Sequence, residues 1–291
     1  MLYPEQAPLR TFTLPTDTGH SLHVQEWGNP QGIPVALLHG GPGSGSSALL
    51  RRVINPKVFR VISPDQRGAG RSGPPGDIQN NTTVHLVADM ECIRRQLGID
   101  RWLLVGGSWG ATLALATALA HPASVTGLVL RASFLARPQD IDGFFAGGPQ
   151  LLLDGWRQLP ELAPELALQV VQSWFEWEHS RTGATGTPAP LRGDALSVMH
   201  YRYRIQSHYL RNGCWLQDPP LLERLEPLRN ICTVMLHGAE DRVCLVQGAM
   251  ELAAKLPNST LAVVPGAGHD PTHPDMVGAM VQALDDIAQH C

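Results

Sequence analysis

The pentapeptide Gly106-Gly107-Ser108-Trp109-Gly110 carries the strongest chemical signal in the chain. A serine hydroxyl attacks a carbonyl efficiently when a sharp turn exposes it and a neighbouring base removes its proton. Glycines flanking the serine permit the close backbone approach that such a turn needs. The apolar run Trp102–Val105 reads as a buried strand before the serine, and Ala111–Ala120 reads as a helix after it. The spacing therefore predicts Ser108 as a nucleophile. It also points the N–H of Trp109, at the start of the helix, towards the oxyanion formed on attack, where the helix N-terminus adds a favourable field.

Such a serine needs a histidine oriented by a carboxylate. When the nucleophile lies on a strand-to-helix turn of this kind, its partners follow it in the order acid, then histidine. The strand pattern Ile231–Leu236 runs into His237-Gly238-Ala239-Glu240-Asp241, which offers two acids, Glu240 and Asp241. The last strand pattern, Leu261–Val264, runs into Gly266-Ala267-Gly268-His269. Small residues there let the backbone carry an imidazole towards the serine, so His269 is the expected base, with His273 as its competitor. A second oxyanion donor belongs in the loop after the third strand, His39-Gly40-Gly41-Pro42-Gly43. Gly41 is the expected donor, because a side chain there would crowd the substrate carbonyl. The Gly-Lys-Ser/Thr ending of a phosphate-binding loop is missing.

The elements that must position these residues alternate between strand and helix. Arg10–Leu14 and Leu22–Trp27 read as a hairpin turning at Asp17-Thr18-Gly19. Pro34–Leu38 and Val58–Ser63 are short apolar runs that fit strands buried on both faces, each followed by a glycine-rich loop. Thr82–Leu97 reads as an amphipathic helix capped by Thr82 or Thr83, with Leu86, Met90, Ile93 and Leu97 on one face and Gly98 ending it. Strand patterns return at Thr126–Leu130, Ile231–Leu236 and Thr260–Val264, and Asp275–Gln289 closes as a helix. This alternation predicts a mostly parallel sheet covered by helices on both sides.

Between Phe134 and Leu228 the strand signals vanish. Trp156, Trp174, Trp177 and Trp215 concentrate there, and Pro160, Pro164 and the Thr182–Pro190 stretch interrupt helical segments. A helical insertion over the strand ends is expected, with a core split into residues 1–133 and 229–291 around a cap of residues 134–228. No linker composition marks a separate domain at either edge.

Composition narrows the function classes. The 291 residues carry 43% hydrophobic and 16% charged side chains, the balance of a globular enzyme rather than a disordered chain. A net charge of −4 gives no electrostatic case for nucleic acid or an anionic membrane, and no apolar run is long enough to span a bilayer. The first residues, Met1-Leu2-Tyr3-Pro4-Glu5, lack the basic and apolar regions of a signal peptide. Five scattered cysteines, Cys92, Cys214, Cys232, Cys244 and Cys291, offer neither a disulfide framework nor a metal site and are expected as buried thiols. A cytoplasmic enzyme without metal or cofactor is expected, acting on a small peptide or small molecule; no feature of the sequence sets an oligomeric state.

With these pieces placed, the chain resembles the proline iminopeptidases, serine peptidases of the α/β-hydrolase fold. The matching segments are His39-Gly40-Gly41-Pro42-Gly43, Asp65-Gln66-Arg67-Gly68-Ala69-Gly70-Arg71-Ser72, Asn81-Thr82-Thr83 and Gly106-Gly107-Ser108-Trp109-Gly110-Ala111-Thr112-Leu113-Ala114-Leu115. The resemblance runs through essentially the whole chain. It implies an α/β-hydrolase core with a helical cap inserted after the sixth strand, a Ser108–Asp241–His269 triad, and release of N-terminal proline through an acyl-enzyme. It also implies that cap carboxylates bind the free amine of the substrate. One of these matches Glu178, beside Trp177, where aromatic walls suit a proline ring. At the second acid position this chain holds Gln206, within Tyr203-Arg204-Ile205-Gln206-Ser207-His208-Tyr209-Leu210. Asp270 stands where the family has serine after the histidine, and an acid there is expected to alter the orientation or basicity of His269. An esterase, amidase or acyl-transfer enzyme on the same scaffold is the alternative that Gln206 supports.

Overall fold

The computed structural model describes residues 2–181 and 188–289. Cys291 and most of the Thr182–Pro190 stretch lie outside them. Strands β1 (Arg10–Pro15) and β2 (Ser21–Gly28) form the expected antiparallel hairpin, with Arg10 opposite Glu26 and Pro15 opposite Ser21. Strand β3 (Ile33–Leu38), the short helix α1 (Ala48–Arg51), β4 (Phe59–Pro64), helix α2 (Thr83–Gln96), β5 (Trp102–Gly107), helix α3 (Trp109–Ala120) and β6 (Val125–Arg131) follow. Helices α4 (Pro138–Phe145), α5 (Gln150–Gln158), α6 (Pro164–Arg181) and α7 (Gly193–Arg211) come next. The chain then returns through β7 (Cys232–Gly238), α8 (Val246–Lys255), β8 (Ser259–Val264) and α9 (Pro274–Ile287).

The eight strands form one sheet in the order β1-β2-β4-β3-β5-β6-β7-β8. From β4 to β8 all neighbours are parallel, and β2 joins β4 antiparallel. Side chains alternate across this sheet as a period of two requires. Ala36, Leu38 and Leu104 join the core on the α2–α3 side, while Val35, Leu37, Leu103 and Val105 join that on the α9 side. Helix α3 is apolar all round and almost wholly buried, as expected of a helix between the sheet and its neighbours. Strand β8 differs from a strand covered on both faces. It forms the edge of the sheet, and Val263 is 44% exposed.

Helix α2 ends at Gly98, whose φ of +62° is easy only for glycine, but its start is not capped as the sequence suggests. The Thr82 hydroxyl meets the His85 ring at 2.8 Å instead of a backbone N–H. The Thr83 hydroxyl donates to Cys214 O at 2.6 Å and so ties the core to the segment after α7.

The helices between β6 and β7 have their own aromatic core. Trp174 stacks against Trp156 and Trp177, with ring centroids 4.8 and 4.6 Å apart. Helix α7 is also fastened to the sheet domain by polar bonds. Arg204 Nη1 donates to Gly76 O at 2.9 Å, His208 Nε2 to Asn81 O at 3.0 Å, and the Tyr209 hydroxyl to Asn81 Oδ1 at 2.9 Å. Among the described residues no helix is long and apolar enough to cross a membrane.

Candidate active site

In a parallel sheet, loops at the carboxyl ends of the strands converge on one rim. The loops after β3, β5, β7 and β8 supply His39–Gly43, Ser108, Asp241 and His269 there. Ser108 occupies φ +56° and ψ −123°, a strained conformation for a non-glycine residue, between β5 and α3. Its neighbours explain the glycines around it. A Cβ on Gly106 would strike the carbonyl of Gly110, and one on Gly110 would strike the carbonyl of Leu38. Trp109 opens α3, so its N–H has no acceptor within the helix and is available to an oxyanion.

Asp241 Oδ2 lies 2.8 Å from His269 Nδ1, and its Oδ1 accepts from the backbone N–H groups of Val243 and Cys244, both at 2.8 Å. Burial raises the carboxyl pKa, but the bond and charge of His269 and the two N–H donors outweigh it and hold Asp241 below the ordinary carboxylate value. An ionised carboxylate can only accept, so the proton sits on Nδ1 and Nε2 is left free as a base. Neither alternative, Glu240 or His273, forms this pair among the described residues. The Glu240 side chain is exposed, and the His273 backbone starts α9 without meeting Asp241. Asp270 is engaged with Thr272. Its carboxylate accepts from Thr272 N at 2.8 Å and Thr272 Oγ1 at 2.7 Å.

Nε2 of His269 makes no hydrogen bond to the serine among the described residues. The Ser108 hydroxyl lies against Cys244 Sγ at 3.8 Å. A loose nucleophile–base contact is common before substrate binds.

The glycine loop after β3 is held by a connected set of bonds. His39 Nδ1 donates to Gly40 O at 2.9 Å, and its Nε2 accepts from Gln66 N at 3.0 Å. Burial lowers the His39 pKa, which keeps it neutral in that tautomer. Gln66 Nε2 donates to His39 O at 2.8 Å, while Trp109 Nε1 donates to Gln66 Oε1 at 2.8 Å, joining the loop to the nucleophile turn. The Gly41 N–H has no partner among the described residues. The reason for glycine at 41 is different from crowding of the substrate. The φ is +117°, and a Cβ would lie 2.7 Å from Gly43 N and 2.8 Å from Ser44 N within the loop itself.

Three residues here escaped the sequence reading. Arg131, buried at the end of β6, donates from Nη1 to His269 O at 2.8 Å. A Cβ on Gly107 would lie 2.7 Å from its Nη2, so the guanidinium also explains that glycine. Its signal is a charge closing an otherwise apolar strand, Val-Thr-Gly-Leu-Val-Leu-Arg. Cys244, at the serine hydroxyl, has a thiol that burial pushes far above its usual value. Buried His237 donates from Nε2 to Cys244 O at 2.7 Å and fixes the acid loop.

Residues of α6 and α7 form a second group. Glu178 Oε2 accepts from the Tyr203 hydroxyl at 2.6 Å, and its Oε1 lies 3.4 Å from Arg202 Nη2. Burial and the Glu178 charge keep the Tyr203 phenol protonated as a donor. Trp177 lies on the same helix, against Trp174. Gln206, one turn after Tyr203 on α7, is buried and donates from Nε2 to Gly41 O at 2.9 Å. Its Oε1 is buried without a partner among the described residues.

A strained serine on a strand-to-helix turn, an Asp–His pair on later loops and a mostly parallel eight-stranded sheet define a serine hydrolase of the α/β-hydrolase fold. A family model described as the alpha/beta hydrolase fold matches residues 33–273. A proline iminopeptidase of Xylella fastidiosa is 38% identical across 98% of this chain and 99% of its own length. One from Neisseria meningitidis serogroup B is 37% identical across 99% of both. The crystal structure of a proline iminopeptidase-related protein from Thermus thermophilus superposes with a TM-score of 0.64 at 25% identity, covering 97% of this chain and 99% of that one. The chain belongs to the proline iminopeptidase family.

Proposed function

We propose that the protein is an aminopeptidase that releases N-terminal proline from peptides through an acyl-enzyme on Ser108. The observation that carries this reading is the Asp241–His269 bond of 2.8 Å on the rim that also carries the strained Ser108. His269 Nε2 takes the serine proton as Oγ attacks the carbonyl of the first residue. The N–H groups of Trp109 and Gly41 receive the oxyanion, and His269 returns the proton to the leaving amine. Water then hydrolyses the acyl-enzyme by the same path.

Residues 134–228 act in this reading as a cap over a core of residues 1–133 and 229–291. Glu178 supplies the charged acceptor for the free amine, Trp177 an aromatic wall, and the unpartnered Oε1 of Gln206 a neutral acceptor. Cleavage is thereby confined to the first residue. We also place the enzyme in the cytoplasm; Cys92, Cys214 and Cys244 form no disulfide, as suits a reducing compartment. The test is release of nitroaniline from proline p-nitroanilide, with Ser108→Ala as the blank. Activity that survives Ser108→Ala contradicts the assigned nucleophile.

Two observations favour a second reading, an esterase or amidase acting on an uncharged acyl group. Gln206 brings no charge, and Arg202 competes for Glu178 at 3.4 Å. That reading predicts ester hydrolysis without prolyl cleavage.

A further inference from the structure

Among the described residues, the carbonyl of Gly41 is the one point at which the cap holds the oxyanion loop by a side-chain hydrogen bond. The upstream half of the loop is anchored from the core by Gln66, which donates to His39 O and to His39 Nε2, and Gly40 O accepts from the His39 ring within the loop. Gly41 sits at φ +117°, where glycine rotates freely, and its carbonyl accepts from one group among the described residues, Gln206 Nε2 at 2.9 Å. Helix α7 also presses on the loop directly. A Cβ on Gly43 would lie 2.9 Å from Arg202 O and 3.2 Å from Ile205 Cβ. Only the amide can make this bond at neutral pH. A carboxylate in its place has no proton to donate and would set its charge against the carbonyl dipole.

We propose that Gln206 is a positioning residue that clamps the oxyanion loop from the cap. The Gly41 N–H shares a peptide plane with Gly40 O, which the His39 ring and the Ser44 N–H hold, and Gln206 holds the next peptide, so the core and α7 together fix the glycine that carries the N–H. The inference rests on the reading above, in which that N–H is an oxyanion donor. The substitution of an acid by Gln206 then trades a charge for the amine against a donor for the loop. An effect on the loop must appear with every acyl substrate, whereas an effect on the amine must appear only with substrates that have one.

The test compares wild type, Gln206→Met and Gln206→Glu on proline p-nitroanilide and on p-nitrophenyl acetate, which has no amine. Displacing a preorganised donor lowers turnover, so Gln206→Met is expected to reduce kcat on both substrates by about tenfold, with KM for the ester unchanged. Gln206→Glu is expected to be equally slow at about pH 8. Its kcat relative to wild type should then rise as the pH falls to about 5, because the protonated carboxyl can donate to Gly41 O. Dividing by wild type cancels the groups both proteins share nearby, namely His39, His269, Glu178, Tyr203 and Arg202. This ratio is read within one variant, so it stands even if Gln206→Met folds poorly.

Full kcat on the ester in Gln206→Met, or a Gln206→Glu ratio that falls on acidification, overturns the proposal. Wild type that cleaves the ester but not the anilide would refute the aminopeptidase reading alone, and the clamp would still be read on the ester.

Discussion

The core half and the cap half of this site are held by different kinds of bond. In the core half the backbone does most of the positioning. Ser108 is set by its φ of +56°, and Gly106 and Gly110 are required because carbonyl groups lie where a Cβ would go. Asp241 is fixed by two backbone N–H groups, and His269 by a guanidinium on its own carbonyl. In the cap half, Glu178, Tyr203, Arg202 and Gln206 meet one another or the loop through side chains on two helices. Backbone placement tolerates little change and serves any substrate. Side-chain placement can be rewired by one substitution. The difference teaches that the two halves of the site differ in how much a single residue change can alter.

Perturbing the core half should therefore cost most. Asp241→Asn would present a donor to Nδ1 and favour the wrong tautomer, and kcat is expected to fall roughly 10⁴-fold with little change in KM. Stopped or coupled assays at saturating substrate read this directly. Gly41→Ala is expected next. With a φ of +117° and a new Cβ 2.7 Å from Gly43 N, the loop must shift. Loss of an aligned oxyanion donor costs about 10²–10³ in kcat, on esters and anilides alike.

The carboxylate of the cap half, unlike Gln206, should respond through KM and only for charged amines. Glu178→Gln keeps an acceptor but removes the charge. The difference between charged and neutral hydrogen bonds, about 1 kcal/mol, predicts a rise in KM of roughly fivefold for proline p-nitroanilide and none for p-nitrophenyl acetate. An equal loss on both substrates would erase the distinction between the halves.

A site remote from both should change stability without changing rate. The hydrogen bond from Arg94 holds the Glu91 carboxyl at about 2, below its usual 4.5, with burial opposing it and a hydrogen bond from Arg95 adding to it. A depressed folded-state pKa stabilises the protein above the unfolded value, and this contribution disappears as pH falls through the folded one. Glu91→Gln should therefore lower Tm near neutral pH, and the deficit should shrink between pH 4.5 and about 2. Turnover at pH 7 should be unaffected.

The same division decides what could be read from the sequence. Ser108 and His269 were legible because each follows an apolar run, and apolar runs reveal strands well; the run before the acid left Glu240 and Asp241 open, and the family resemblance pointed to Asp241. The edge position of β8 was not, since Ser259–Val264 is apolar enough for an inner strand and only the sheet order exposes it. Arg131 and Cys244 were missed because single residues show no pattern until the fold brings them to Ser108 and His269. Family resemblance pointed to Glu178 and Gln206. It gave no hint that Tyr203 engages the first, or that the second reaches Gly41, since both contacts depend on how α6 and α7 pack.

The most direct test of the account compares proline p-nitroanilide with its N-acetylated counterpart under identical conditions. The two share an acyl group and a leaving group and differ in the free amine that the cap is held to recognise. The account predicts that kcat/KM is far higher for the free amine and that Ser108→Ala abolishes it. Equal or better cleavage of the acetylated substrate would contradict the claim that the cap confines this hydrolase to N-terminal residues.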